Sequence, residues 1–169
     1  MGAVDYSGNG SALVNIAGGA ALEWWRWDEL SAAALYELLQ FRQAIFVVEQ
    51  SSPYPDLDGR DAEGRHLTLR RDGVLLGYLR LLPPSASDHR PLVRIGRVSV
   101  ALEERGNGYA RRLMDEALRV AGELYPEHDI EIGAQTYLDG FYRSFGFVPA
   151  SSPYDDFGVP HIDLVLRRG

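Results

Sequence analysis

The chain has 169 residues, with 17 basic side chains against 24 acidic ones and a formal net charge of −7 with histidine neutral. That length suits one domain with its own core and is short for two, and no apolar run approaches the ~18–20 residues that cross a bilayer. There is no cysteine, hence no disulfide, thiol nucleophile or cysteine-based zinc site; all basic residues are arginines, hence no lysine Schiff base; and the acidic balance disfavours nucleic acid and favours cationic partners.

Residues 1–20 are rich in Gly, Ala and Ser and carry no positive segment ahead of an apolar core. They read as a flexible tail and not a signal peptide, so the fold is expected over 21–169 and its location in the cytoplasm. Residues 22–27 form an aromatic strand. Asp28 or Ser31 then caps a helix in which Leu35, Leu38, Leu39, Arg42, Ile45 and Phe46 keep helical spacing. Residues 49–64, dense in Pro, Gly and Asp, make a long loop of the kind that tends to be functional or mobile.

Residues 66–82 read as a hairpin turning at Asp72-Gly73, a type I′ sequence, and stopped by Pro83-Pro84. A strand follows over 92–100 and a helix over 109–124, where Leu113, Met114, Ala117, Leu118, Ala121 and Leu124 recur at spacings of three and four. A short strand at 129–134, a short helix at 137–145 stopped by Gly146, a strand start at 147–149, an acidic loop and a last strand from His161 complete the chain. The order predicts an α/β (α+β) fold with a mixed, mostly antiparallel sheet and helices on its faces. Ser51-Ser52-Pro53-Tyr54-Pro55-Asp56 is echoed by Ser151-Ser152-Pro153-Tyr154-Asp155-Asp156, too short to count as a repeat.

The junction between the 92–100 strand and the next helix organises the rest. There Arg105-Gly106-Asn107-Gly108-Tyr109-Ala110 places two glycines one residue apart at a helix start. The glycines allow a tight turn, and the first helical N–H groups lack intrahelical acceptors and sit at the positive end of the helix dipole. This context makes an anion site, best suited to phosphate. A P-loop would need a Gly-Lys-Ser/Thr ending, and a dinucleotide loop a third glycine where Arg111 stands.

Arg-x-x-Gly-x-Ala between strand and helix resembles the acyl-CoA loop of the GNAT N-acyltransferases. Phe141-Tyr142-Arg143-Ser144-Phe145-Gly146-Phe147 resembles the C-terminal signature of the same family. Further stretches, among them residues 38–50, 53–61, 78–84 and 153–161, are similar to the ElaA-like branch and carry the resemblance over about residues 22–165. The resemblance implies a GNAT acyl-CoA N-acyltransferase fold, acetyl-CoA as co-substrate, no metal, and a small-molecule or peptide amine as acceptor. A homodimer is compatible with it, and it calls for neither nucleic acid nor a membrane. It also implies that backbone groups of Val98, Ser99 and Val100, the loop from Arg105 to Ala110 with Arg111, and Gln135 hold the cofactor. Tyr142 would protonate the departing thiolate. An alternative reading is a non-catalytic acyl-CoA-binding module on the same fold.

Acyl transfer to an amine also calls for a proton acceptor. His66 and Glu49 are the first choices. His161 stays open as a second histidine, and Asp56, Asp58, Asp155 and Asp156 as carboxylates that could hold an ammonium or relay its proton. The two acidic loops together lead to the expectation of a cationic amine acceptor.

Overall fold

The computed structural model describes residues 13–169. Residues 1–12 of the expected tail lie outside the described residues. The remainder of that tail is a correction: Leu13–Asn15 is a strand, β1, antiparallel to β2, Ala20–Arg26, with Leu13 opposite Glu23 and Asn15 opposite Ala21. A strand this short cannot register as an alternation in the sequence.

Helix α1, Ala32–Gln43, begins at Ser31, whose Oγ accepts the Ala34 N–H at 3.1 Å, while Asp28 pairs with Arg26 instead. The helix runs on into a π-helical turn, Ala44–Glu49. Strands β3, Arg65–Arg71, and β4, Val74–Leu82, meet through Asp72 and Gly73 at φ of 50° and 79°, the two left-handed residues of a type I′ turn. Then come β5, Val93–Val100, helix α2, Tyr109–Leu124, and β6, Ile130–Gln135. Helix α3, Asp139–Arg143, ends near Gly146 at φ 94° and leads to β7, Val148–Pro149.

The second acidic loop is also corrected. Tyr154–Asp156 is a strand, β8, turning through Phe157 and Gly158 into β9, Val159–Leu166. Both turn residues have positive φ, 51° and 85°. Phe-Gly is not a usual sequence for a turn with two left-handed residues, so nothing in the composition announced it.

The nine strands among the described residues form one sheet in the order β1-β2-β3-β4-β5-β6-β9-β7, with β8 also on β9. Every pair is antiparallel except β5 and β6. The apolar stripe of α2 (Leu113, Met114, Ala117, Val120, Ala121) is buried in one core with Leu67, Leu69, Leu79, Ile95 and Ile130. This is the mixed, mostly antiparallel architecture expected. Among the described residues no helix is long and apolar enough to cross a membrane.

On the other side of the sheet from this stripe's chemistry, the 49–64 loop is tied to α1 and the strands by buried ion pairs. Arg42 of α1 is 0% exposed and reaches Asp56 through Nε at 2.9 Å and Asp61 through Nη1 at 2.7 Å. Arg80 of β4 reaches the same Asp61 oxygen at 2.8 Å and holds Asp58 at 2.6 Å. Arg97 of β5 takes the second Asp56 oxygen at 2.8 Å. Burial by itself would raise the Asp58 and Asp61 carboxyls. The arginines beside them outweigh it, Arg80 at Asp58 and Arg42 with Arg80 at Asp61, and both end below the ordinary carboxylate range.

A depressed folded value means that the unfolded chain binds more protons in the acid range. The stabilisation is therefore full above the unfolded carboxyl value, about 3.9, and is lost as pH falls through the lower folded values. Asp61→Ala should cost about 3–5 kcal/mol, because it leaves two buried guanidinium groups short of a carboxylate. Urea unfolding measures that loss, and repeating it at acid pH should give the variant a shallower decline than the parent.

Candidate active site

The ladder between β5 and β6 is short: Val93 pairs with Ile130 and Arg94 with Glu131, and the pairing ends there. Beyond it the strands part. A cavity of about 700 Å³ opens between them, with Gly96–Val100 on one wall and Ile132–Gln135 on the other. A bulge accompanies the split. Tyr78 pairs with Ser99 and Arg80 with Gly96, so Arg97 and Val98 together face Leu79. Arg97 sits in the left-handed region at φ 56°, an uncommon place for an arginine. Its guanidinium lies over the Tyr54 ring at 4.9 Å and is bonded to Asp56, so the loop holds the bulge from outside. Sequence reading missed Arg97. The signal was Gly96, since a glycine inside a strand often marks a bulge.

One end of the cavity is the glycine loop, where Gly106 and Gly108 have φ of 84° and 77° and open space where a Cβ would stand. Among the described residues, no acceptor takes the N–H groups of residues 106–111; the helical ladder resumes with Arg112 N–H to Gly108 O at 3.2 Å. Tyr109, Ala110 and Arg111 line this end, with Arg111 stacked over Phe145 at 4.6 Å and bonded to Ser144 at 2.8 Å. Asn107 is the exception: its side chain turns to Glu104 and does not line the cavity.

Arg105 and Glu49 both line the cavity but are bound to each other. The guanidinium meets the two carboxylate oxygens at 2.7 and 2.9 Å, and its Nε donates to Val100 O at 3.0 Å. Glu49 therefore anchors Arg105 and joins the π-turn to the loop. It is not a carboxylate standing free to take a proton.

Tyr142 of α3 projects into the middle of the cavity wall and is 4% exposed. Burial pushes its phenol well above the ordinary value, so it keeps its proton at neutral pH. Its hydroxyl makes no hydrogen bond among the described residues. Gln135 lines the same cavity and pairs with His161 across β6 and β9.

His66 is a correction. It is 0% exposed, outside the cavity, and bonded at both nitrogens: Nε2 donates to Asp61 O at 2.9 Å and Nδ1 accepts from the Tyr78 hydroxyl at 2.7 Å. The carbonyl can only accept, which puts the ring hydrogen on Nε2. Burial pushes the imidazole down, so it is a neutral strut inside the arginine–aspartate cluster. Asp56 and Asp58 are likewise held by arginines, and Asp155 accepts the Gly158 N–H at 3.1 Å. Of the histidines and acids considered, His161, Asp156 and the arginine-bound Glu49 line the cavity. Sequence spacing could not tell the two strand histidines apart, because both alternate onto polar faces.

A family profile described as an acetyltransferase (GNAT) domain matches residues 34–168. The chain belongs to the GNAT acetyltransferase family. Within it the chain is ElaA-like: it is 42% identical to protein ElaA of Escherichia coli over 85% of its length and 95% of that protein. The crystal structure of E. coli ElaA superposes with a TM-score of 0.79 at 39% identity, covering 86% of this chain and 99% of the other. An acyl-CoA N-acyltransferase from Pseudomonas aeruginosa gives 0.80 at 36% identity, over 91% and 99%. A GNAT acetyltransferase from Elizabethkingia anophelis, crystallised with acetyl-CoA bound, shares the fold at a TM-score of 0.62 and 14% identity, over 88% and 98%.

The β8–β9 turn is clasped to the 49–64 loop by Ser52 Oγ, which donates to Phe157 O at 2.9 Å, and by an edge contact of Tyr54 on Phe157 at 5.9 Å. Ser52→Ala should lower stability by about 1 kcal/mol. It should also speed amide hydrogen exchange at residues 154–161 while exchange in α2 stays as it was.

Proposed function

We propose that the chain is an N-acetyltransferase that moves an acetyl group from acetyl-CoA to a primary amine by direct attack, with Tyr142 as the general acid. The observation that carries this reading is one continuous cavity. It joins a row of unaccepted N–H groups at a helix start to a buried phenol with an unbonded hydroxyl, inside a split between parallel strands. The donor set fits a pyrophosphate: successive N–H groups at the positive end of α2, space above two glycines, and Arg111 alongside. The acetyl-CoA found in the Elizabethkingia relative supports the same choice of acyl donor.

The parted strand supplies the next element. Past Arg94, β5 lacks a β6 partner on one side, so backbone groups at Val98 to Val100 are available to an extended ligand and to a thioester oxygen. The amine nitrogen attacks the thioester carbon, the C–N bond forms, and the electron pair moves to the carbonyl oxygen. When it returns, the C–S bond breaks, the sulfur takes the Tyr142 proton, and the nitrogen sheds one N–H proton, so that the phenol is restored through solvent. A phenol raised by burial is a reluctant acid toward water, but a thiolate leaving inside the same dry wall is the partner that burial does not disfavour.

Two measurements test this reading. Gly108→Glu puts a side chain on a left-handed residue and a negative charge where the phosphates would lie; the backbone strain alone is worth roughly 1–2 kcal/mol. Calorimetric titration should then find acetyl-CoA binding abolished in a variant that still unfolds cooperatively, and parental affinity would place the anion site elsewhere. Tyr142→Phe should keep acetyl-CoA affinity and lower the single-turnover rate of acetyl transfer by about 10²- to 10⁴-fold. An unchanged rate would remove Tyr142 from the chemistry.

A further inference from the structure

We propose that His161 and Asp156, walled by Phe46 and Tyr54, form the acceptor subsite, with His161 Nε2 taking the proton of a primary amine carried on an apolar or aryl stem. The proposal deepens the acetyl-transfer reading above and rests on it.

Elimination leads to the same two groups as geometry. His66, His89 and His128 do not line the cavity, and His161 does. Of the acidic candidates, Asp56 and Asp58 are bound to arginines, Asp155 caps a turn and Glu49 is held by Arg105. Asp156 remains in the wall, with His161 Nδ1 at 4.0 Å.

The ring of His161 is oriented as a base. Its Nδ1 lies 2.8 Å from Val159 O, and because a carbonyl only accepts, the hydrogen belongs on Nδ1. The neutral ring then carries its lone pair on Nε2. Tyr154 stacks on the ring at 6.1 Å with 26° between planes, and its own hydroxyl is fixed by donating to Asp163 at 2.7 Å. Asp156 Oδ2 lies on the Nδ1 side of the ring, which leaves Nε2 clear of it.

The walls decide the stem. Phe46 and Tyr54 contribute rings and Val159 a branched aliphatic side chain. The polar groups among them are already engaged: Ser52 donates to Phe157 O, and Arg97 is paired with Asp56. Against these rings and the Val159 side chain an aryl or aliphatic stem would bury its surface. The Ser-Pro-Tyr echo in the sequence also finds a place here. One copy supplies the Tyr54 wall, and the other supplies Tyr154 behind the histidine.

The step balances as follows. The amine enters as the free base, its nitrogen bonds to the acetyl carbon, and one N–H proton passes to His161 Nε2. The C–S bond breaks, and the thiolate takes the Tyr142 proton. The imidazolium then returns one proton to the tyrosinate through solvent, leaving acetamide, CoA thiol and both residues in their starting states.

The test uses the full chain with acetyl-CoA and three primary amines: 2-phenylethylamine, ethanolamine and 1,4-diaminobutane. With 2-phenylethylamine, His161→Asn keeps an N–H for Val159 O but has no basic nitrogen, and should slow single-turnover acetylation by about 100-fold or more. Acetyl-CoA affinity should stay at the parental value. Added imidazole should restore part of the rate in His161→Ala, which a structural role would not allow. Asp156→Asn should raise the KM for the amine more than it lowers kcat. Without acetyl-CoA, 2-phenylethylamine should shift the His161 ring resonances. Single-turnover rates in His161→Asn within about threefold of the parent would overturn the assignment of the base. Preference for ethanolamine or 1,4-diaminobutane would overturn the apolar stem. If acetyl-CoA binds but no amine of any kind is acetylated, the transfer reading itself fails and this inference falls with it.

Discussion

Two buried arginines and a half-buried third, sharing three aspartates, fix the loop and the strand bulge beside the cavity. Arg42, Arg80 and Arg97 come from a helix and two neighbouring strands, and Asp56, Asp58 and Asp61 all come from one loop. Each guanidinium is shared between two of the carboxylates, so removing any one aspartate weakens the hold on two arginines at once. Hydrophobic replacement of the whole set could match its stability, but it would not fix directions. Each guanidinium offers a rigid fork of donors, so the loop has one position relative to β4 and β5. The left-handed backbone at Arg97 depends on that fixed position, and the strand split begins beside it.

Lysine would not serve in these roles. Its single ammonium has no planar fork, and it could not span Asp56 with one face and stack on Tyr54 with the other. The composition and the site are thus linked. A chain that builds its framework from guanidinium–carboxylate forks commits most of its cavity carboxylates: Glu49 and Glu104 are held by Arg105 and Arg71, and Asp156 stands beside His161.

The fold was legible where local chemistry and global role coincide. The alternation of 66–82 around Asp72-Gly73, the apolar stripe of α2 and the glycine pair at its start each specify one conformation by short-range rules, and the structure follows them. The failures share a different cause. β1 is too short for periodicity, and β8 turns at a Phe-Gly pair whose backbone is set by contacts more than 100 residues away in sequence, such as Ser52 to Phe157. The site was legible to the same degree. Gly106, Gly108 and Tyr142 occupy the cavity because motifs placed them there. The choice between His66 and His161 depended on which face of the sheet meets the arginine cluster, and that is a property of packing between distant segments. The acidic loop at 56–61 looked like a lure for cations for the same reason: its partners are arginines drawn from three other elements.

The parting of β5 from β6 gives this sheet two kinds of edge. Among the described residues its outer edges are β1 and β7. The inner pair, past Arg94 and Glu131, face one another and cannot be reached by a folded chain. Unpaired strand groups normally recruit other proteins indiscriminately. Turned inward, they are left to whatever enters the cavity between the two strands. Such groups belong to the backbone, so a side-chain substitution along β5 or β6 that keeps the strands parted leaves them in place.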